Sequence, residues 1–153
     1  MSRVGRGDPP PSIFVVRHAE KAMGRGLEDV GLTPAGKARA RSLATVEGID
    51  RVEAVFVTPY RRTAETAQPT LSRRGLEAQT YPANDVAGVA RRALGALPGS
   101  VLVVGHCDTV PEIVRRLGVE VPGLRYLTRY GDLFRVDFGS QGPTLVRGLF
   151  GLG

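Results

Sequence analysis

Tryptophan is absent from this chain of 153 residues, cysteine occurs once and histidine twice. A lone Cys107 excludes a disulfide within the chain and fits a reducing compartment, so a cytoplasmic location is expected. No apolar run approaches the length of a membrane-spanning helix, and no segment has the apolar core of a signal peptide. Aromatic residues make up 6%, which offers little stacking surface to a single-stranded nucleic acid. Two histidines and one cysteine show no metal-ligand spacing, and no paired-aspartate magnesium motif occurs. Neither a metal nor another cofactor is therefore expected.

Arginine and glycine are plentiful. The formal net charge is +6, and arginine carries nearly all of the excess. The pairs Arg73-Arg74, Arg91-Arg92 and Arg115-Arg116 are spread along the chain and fall near predicted helix ends, which favours solvated faces over a nucleic-acid surface. A positive field also favours encounter with phosphorylated, anionic substrates. Hydrophobic residues at 42% and charged residues at 24% are ordinary for a globular domain with a substantial core. Residues 1–11, rich in Gly, Pro, Ser and Arg, are expected to form a disordered leader. Residues 12–153 are expected to form a single domain without internal repeats.

Three strand-like runs end in groups that carry chemistry. Ile13-Phe14-Val15-Val16 stops at Arg17 and His18, and Val101-Leu102-Val103-Val104 stops at Gly105 and His106. Ala54-Val55-Phe56-Val57 leads to Thr58-Pro59-Tyr60-Arg61-Arg62. In an open α/β sheet ligands bind just beyond the carboxyl ends of the strands, so these groups are expected to share one crevice.

Helices are expected between the strands. One opens at Thr33-Pro34, an N-cap followed by proline at the first helical position, and runs to about Leu43. A second carries Arg61 and Arg62 in its first turn and is expected to end at about Gln68, before Pro69. A third runs from Val86 to about Leu97 behind Asn84 or Asp85, after a short strand at Ala78–Tyr81. A fourth, capped by Asp108 or Thr109, runs to Leu117. Leu133–Phe138 and Thr144–Leu149 are expected to pair as a hairpin. This alternation predicts the α/β class, as a three-layer α/β/α sandwich with a mostly parallel central sheet. Gly31 to Ala38 nearly spells a P-loop, but Ala38 stands where Ser or Thr would hold magnesium, and no strand precedes it.

Together these segments resemble the histidine phosphatase superfamily, also called phosphoglycerate mutase-like. Arg17-His18-Ala19-Glu20 matches its Arg-His-Gly-Glu signature, with Ala19 replacing glycine. Val103-Val104-Gly105-His106 matches the segment with the second histidine, and Arg62-Thr63-Ala64-Glu65-Thr66-Ala67 resembles its Arg-Ala-x-x-Thr-Ala run. The likeness extends from about Ser12 to Phe138, and the compact length resembles the small bacterial phosphohistidine phosphatases.

The resemblance implies the phosphoglycerate mutase-like fold, His18 as a nucleophile that becomes phosphorylated, and His106 stabilising the transferring group. It places phosphate on Arg17 and Arg62. Physically, phosphoryl transfer without a metal needs positive groups around the equatorial oxygens, and forked guanidinium groups supply them. The expected partner is a phosphorylated small molecule or a phosphohistidine protein, with no nucleic acid and no membrane. The alternatives are a catalytically silent phosphate-binding adaptor and a mutase-type phosphotransferase.

Asp85 and Glu20 are the candidates for a general acid, although N-capping also accounts for Asp85, and the site is equally readable as lacking an acid. Arg61 and Glu65 read as helix-surface partners. A cysteine nucleophile would need an arginine where Ile113 stands, so Cys107 reads as a packing residue. Specificity is expected from the rim, including the loop Lys21–Gly31.

Overall fold

Residues Ser12–Arg17 form strand β1, and its four apolar members, Ile13 to Val16, are wholly buried. An unbroken apolar strand needs both sheet faces covered, and the rest of the chain supplies that cover. The computed structural model describes residues 8–25 and 28–151. After β1 come α1 (Pro34–Leu43), β2 (Val52–Val57), α2 (Arg61–Arg74), β3 (Gln79–Thr80), α3 (Val86–Gly95), β4 (Ser100–Gly105), α4 (Thr109–Arg116), β5 (Asp132–Gly139) and β6 (Gly142–Leu149). Residues 1–7 of the expected leader lie outside the described residues, while the Pro11 carbonyl accepts from Phe138 N at 2.9 Å.

The six strands form one sheet in the order β3-β2-β4-β1-β5-β6. Pairings among β1 to β4 are parallel, and those of β1 with β5 and of β5 with β6 are antiparallel. Alternation along β1 assigns the two faces. Ile13 and Val15 pack with Val89, Ala90 and Ala93 of α3 and with Ile113 and Val114 of α4. Phe14 and Val16 pack with Leu43 of α1 and with Ala67 and Leu71 of α2. The result is the expected three-layer α/β/α sandwich. Each fully buried Val, Ile or Phe contributes about 1.5–3 kcal/mol, so the strand that presents the first histidine is anchored from both sides.

Local chemistry sets most helix boundaries. Thr33 Oγ1 accepts from Gly36 N at 3.0 Å and Pro34 occupies the first turn, as expected for a helix start rather than a phosphate cradle. Asp85 Oδ1 accepts from Gly88 N at 3.0 Å and caps α3.

Pro69 does not end its helix, contrary to expectation. Proline forfeits its own N–H bond, but Leu71 beyond it is buried, and Arg74 Nε donates to the Val52 carbonyl at 2.8 Å. Those contacts carry α2 on to Arg74, where Gly75 closes it with a φ of 66°. Among the described residues no helix is long and apolar enough to cross a membrane.

Candidate active site

Because β1, β2 and β4 run parallel, their carboxyl ends meet at one rim, and antiparallel β5 begins beside them, with Leu133 opposite Val16. Arg17, His18, Arg62 and His106 line one cavity of about 500 Å³ there. A larger cavity of about 840 Å³, between α1, α2 and the loop after β1, contains neither histidine. The four residues expected from the sequence are thus brought together, and Arg62 rather than Arg61 faces the histidines' cleft. Arg61 instead pairs with Glu65 at 3.2 Å, and Glu65 also accepts from Leu32 N at 2.9 Å.

His18 is held through its backbone and its ring. Its N–H donates to the Gly105 carbonyl at 3.0 Å, and Nδ1 lies 2.7 Å from the Ala19 carbonyl. A carbonyl only accepts, so Nδ1 carries the ring proton and Nε2 is left with a lone pair. The segment is secured further by Ala19 N, which donates to Thr66 Oγ1 at 2.8 Å.

Burial above all lowers the His18 pKa from 6.5 to about 3, aided by His106, Arg17 and Arg62 and opposed by the bond to Ala19. His106 is lowered to about 4 by burial and then by the two arginines, with Asp108 acting the other way. Both rings are neutral at pH 7.

His106 lies with its ring centroid 5.4 Å from that of His18. Its Nε2 is 3.0 Å from Thr58 Oγ1, which is 3.0 Å from Thr63 Oγ1. If Thr63 donates to the Tyr60 carbonyl at 2.9 Å, Thr58 can donate to Thr63 and accept from His106. Turning both hydroxyls lets Thr58 donate to Nε2, leaving the His106 proton on Nδ1. The threonine pair thus accommodates either tautomer.

The guanidinium groups are set on aromatic faces. Arg17 lies 4.1 Å from the Tyr130 ring centroid and Arg62 lies 4.4 Å from that of Tyr60. Arg17 also donates to the Arg129 carbonyl at 3.2 Å. The Nε atoms of both arginines are buried without a hydrogen-bond partner among the described residues. Buried donors of this kind call for an acceptor, and two cationic ones beside two neutral imidazoles suit an oxyanion. No cluster of three or more His, Cys, Asp or Glu suited to a metal ion occurs among the described residues.

Neither sequence candidate for the acid lines this cleft. Glu20 is bound through both oxygens to Arg39 at 2.9 Å, and those bonds from Arg39 hold its pKa below the usual carboxylate value. Asp85 serves α3 as its cap. Asp108, Tyr60 and Tyr126 do line the cleft, although none of them is among the residues expected there from the sequence. Their signals were adjacency to His106 and to Arg61-Arg62, and a tyrosine in the irregular stretch before β5.

Residues 13–85 match the model of the histidine phosphatase superfamily (branch 1), a span that includes Arg17, His18 and Arg62. This segment belongs to the histidine phosphatase superfamily. The fold agrees along nearly the full chain. The histidine phosphatase SixA complexed with tungstate superposes with a TM-score of 0.68 at 22% identity, covering 90% of this chain and 96% of that one. A putative phosphohistidine phosphatase SixA from Agrobacterium tumefaciens gives 0.64 at 23% identity, covering 84% and 92%. A phosphoserine phosphatase mutant from Entamoeba histolytica, in complex with phosphoserine, gives 0.67 at 14% identity, covering 92% and 96%. No curated protein matches the chain in sequence. At these identities the structural likeness concerns the histidine phosphatase fold.

Proposed function

We propose that the protein is a metal-independent phosphatase that hydrolyses a phosphomonoester or a protein phosphohistidine through a phosphohistidine formed on His18. The observation that carries this reading is the pairing of a neutral His18, its Nδ1 bound to Ala19, with two guanidinium groups whose buried Nε donors have no partner among the described residues.

In the first half-reaction Nε2 of His18 attacks phosphorus while Arg17 and Arg62 hold the equatorial oxygens, where charge accumulates in the transition state. A neutral imidazole is needed for attack, and its depressed pKa supplies it across the physiological range. His106 stabilises the same oxygens from 5.4 Å beyond the first ring, provided that Thr58 leaves it a proton to share. Water then attacks the phosphohistidine and releases inorganic phosphate. Arginine charge takes the part that a metal plays in other phosphoryl-transfer sites.

Turnover of p-nitrophenyl phosphate in the presence of a chelator tests the reading. Wild type is expected to turn over and to yield an acid-labile phosphoenzyme. His18→Ala is expected to lose at least about 10³-fold in kcat, with no trapped intermediate, while still binding inorganic phosphate. Chelator-sensitive turnover, or turnover that survives His18→Ala, would refute it. Wild-type phosphate binding without turnover, with phosphohistidine substrates included, would make the protein a phosphate-binding adaptor.

A further inference from the structure

Departure of an alkoxide or of a poorly stabilised phenoxide calls for a proton, whereas Arg17, Arg62 and the two imidazoles serve the phosphoryl group rather than the leaving oxygen. Asp108 is a carboxylate of the cleft that is spared from structural work. It occupies the N-cap position of α4, where aspartate ordinarily accepts from the helix's first N–H groups, yet its side chain makes no capping bond. Thr109 ties the turn instead, its Oγ1 accepting from His106 N at 3.0 Å.

The backbone around it is fixed on both sides. The His106 carbonyl accepts from Val110 N at 3.0 Å, and the Cys107 carbonyl accepts from Leu127 N at 2.8 Å. Asp108 therefore projects from a braced turn while lining the same cleft as His18 and His106. It is exposed to solvent, from which a proton can be regained. Its charge also reaches His106, favouring that ring's cationic form.

We propose that Asp108 is the general acid and base of this site, an assignment that rests on the phosphatase reading above. As the bond between His18 Nε2 and phosphorus forms and the bond from phosphorus to the leaving oxygen breaks, the Asp108 carboxyl proton passes to that oxygen. In the second step the carboxylate takes a proton from the water whose oxygen bonds to phosphorus. The Nε2–phosphorus bond breaks, its electron pair returns to the ring, inorganic phosphate departs, and Asp108 is again protonated.

The test is the leaving-group dependence of kcat/KM over aryl phosphates from p-nitrophenyl to phenyl and p-methoxyphenyl, for wild type and Asp108→Asn. This ratio reports the chemistry only as far as phosphoenzyme formation. With p-nitrophenyl phosphate, whose phenolate leaves without a proton, Asp108→Asn is expected to stay within about threefold of wild type. With the phenyl and p-methoxyphenyl esters a loss of about 10²-fold is expected, so the dependence steepens. A parallel loss on all esters, or none, overturns the assignment and leaves the His18 chemistry standing. Wild type that turns over neither an ester nor a phosphohistidine substrate and forms no phosphoenzyme overturns both.

Discussion

Arg62 combines three attributes at one position: a permanent charge, a buried Nε–H without an acceptor among the described residues, and a planar face over Tyr60. Lysine keeps only the first. Arg62→Lys is therefore expected to lower kcat by about 10²–10³-fold, the range seen when one oxyanion donor is removed, with little change in thermal midpoint. A loss under fivefold would mean that a point charge suffices there. Arg17, His18, Arg62 and His106, which line one cleft, were legible in the sequence because each closes or follows a strand-like apolar run. Tyr130 was not, because it lies in the irregular stretch before β5, far along the chain from its partner Arg17. In the sequence Asp108 and Thr109 are alternative caps of α4, because capping is a common use of both residue types before a helix. What distinguishes Asp108 is a hydrogen bond that it does not make, and a sequence cannot display that.

At the level of elements, helix starts were more legible than helix ends. Thr33-Pro34 and Asp85 announce themselves through side-chain chemistry, whereas the end of α2 is decided by tertiary contacts of Leu71 and Arg74 that outweigh the local cost of Pro69. The short β3 likewise follows from pairing with Phe56 and Val57 rather than from its own exposed Gln79 and Thr80. Helix α1 shows how such packing reaches the chemistry. A Cβ on Gly36 would stand 2.2 Å from the Glu20 carbonyl oxygen, so only glycine lets the helix lie against the backbone that follows His18. Gly36→Ala is expected to lower the unfolding free energy by about 1–3 kcal/mol, seen as a lower urea midpoint, and to reduce kcat as that segment shifts. An unchanged midpoint would show that α1 yields without strain.

For the molecule as a whole, two buried neutral histidines tie stability to pH. Both folded values, about 3 for His18 and about 4 for His106, lie below the ordinary 6.5. The unfolded chain therefore binds more protons once the pH falls below about 6.5. Stability linked to the neutral rings is complete above that pH and is lost as pH falls toward about 4 and then about 3. The urea midpoint is expected to drop between pH 7.5 and 5, and to drop less in the double variant His18→Asn, His106→Asn. An identical slope in the double variant would assign the pH dependence to other groups. Glu20, whose pKa is also lowered, loses its contribution at more acidic pH, so measurements above pH 5 separate the two.

The strand order carries a consequence for the timing of synthesis. β1 leaves the ribosome before either of its neighbours, Ile13 pairing with Val101 on one side and with Val136 on the other. At about 5–20 residues per second, the roughly 120 residues to the second partner amount to some 6–24 seconds of translation. Until then the apolar strand that leads to His18 lacks at least one of its two native neighbours. His18 is thus made before the two strands that flank β1, so a nascent chain cut short before β5 carries this histidine without its full enclosure.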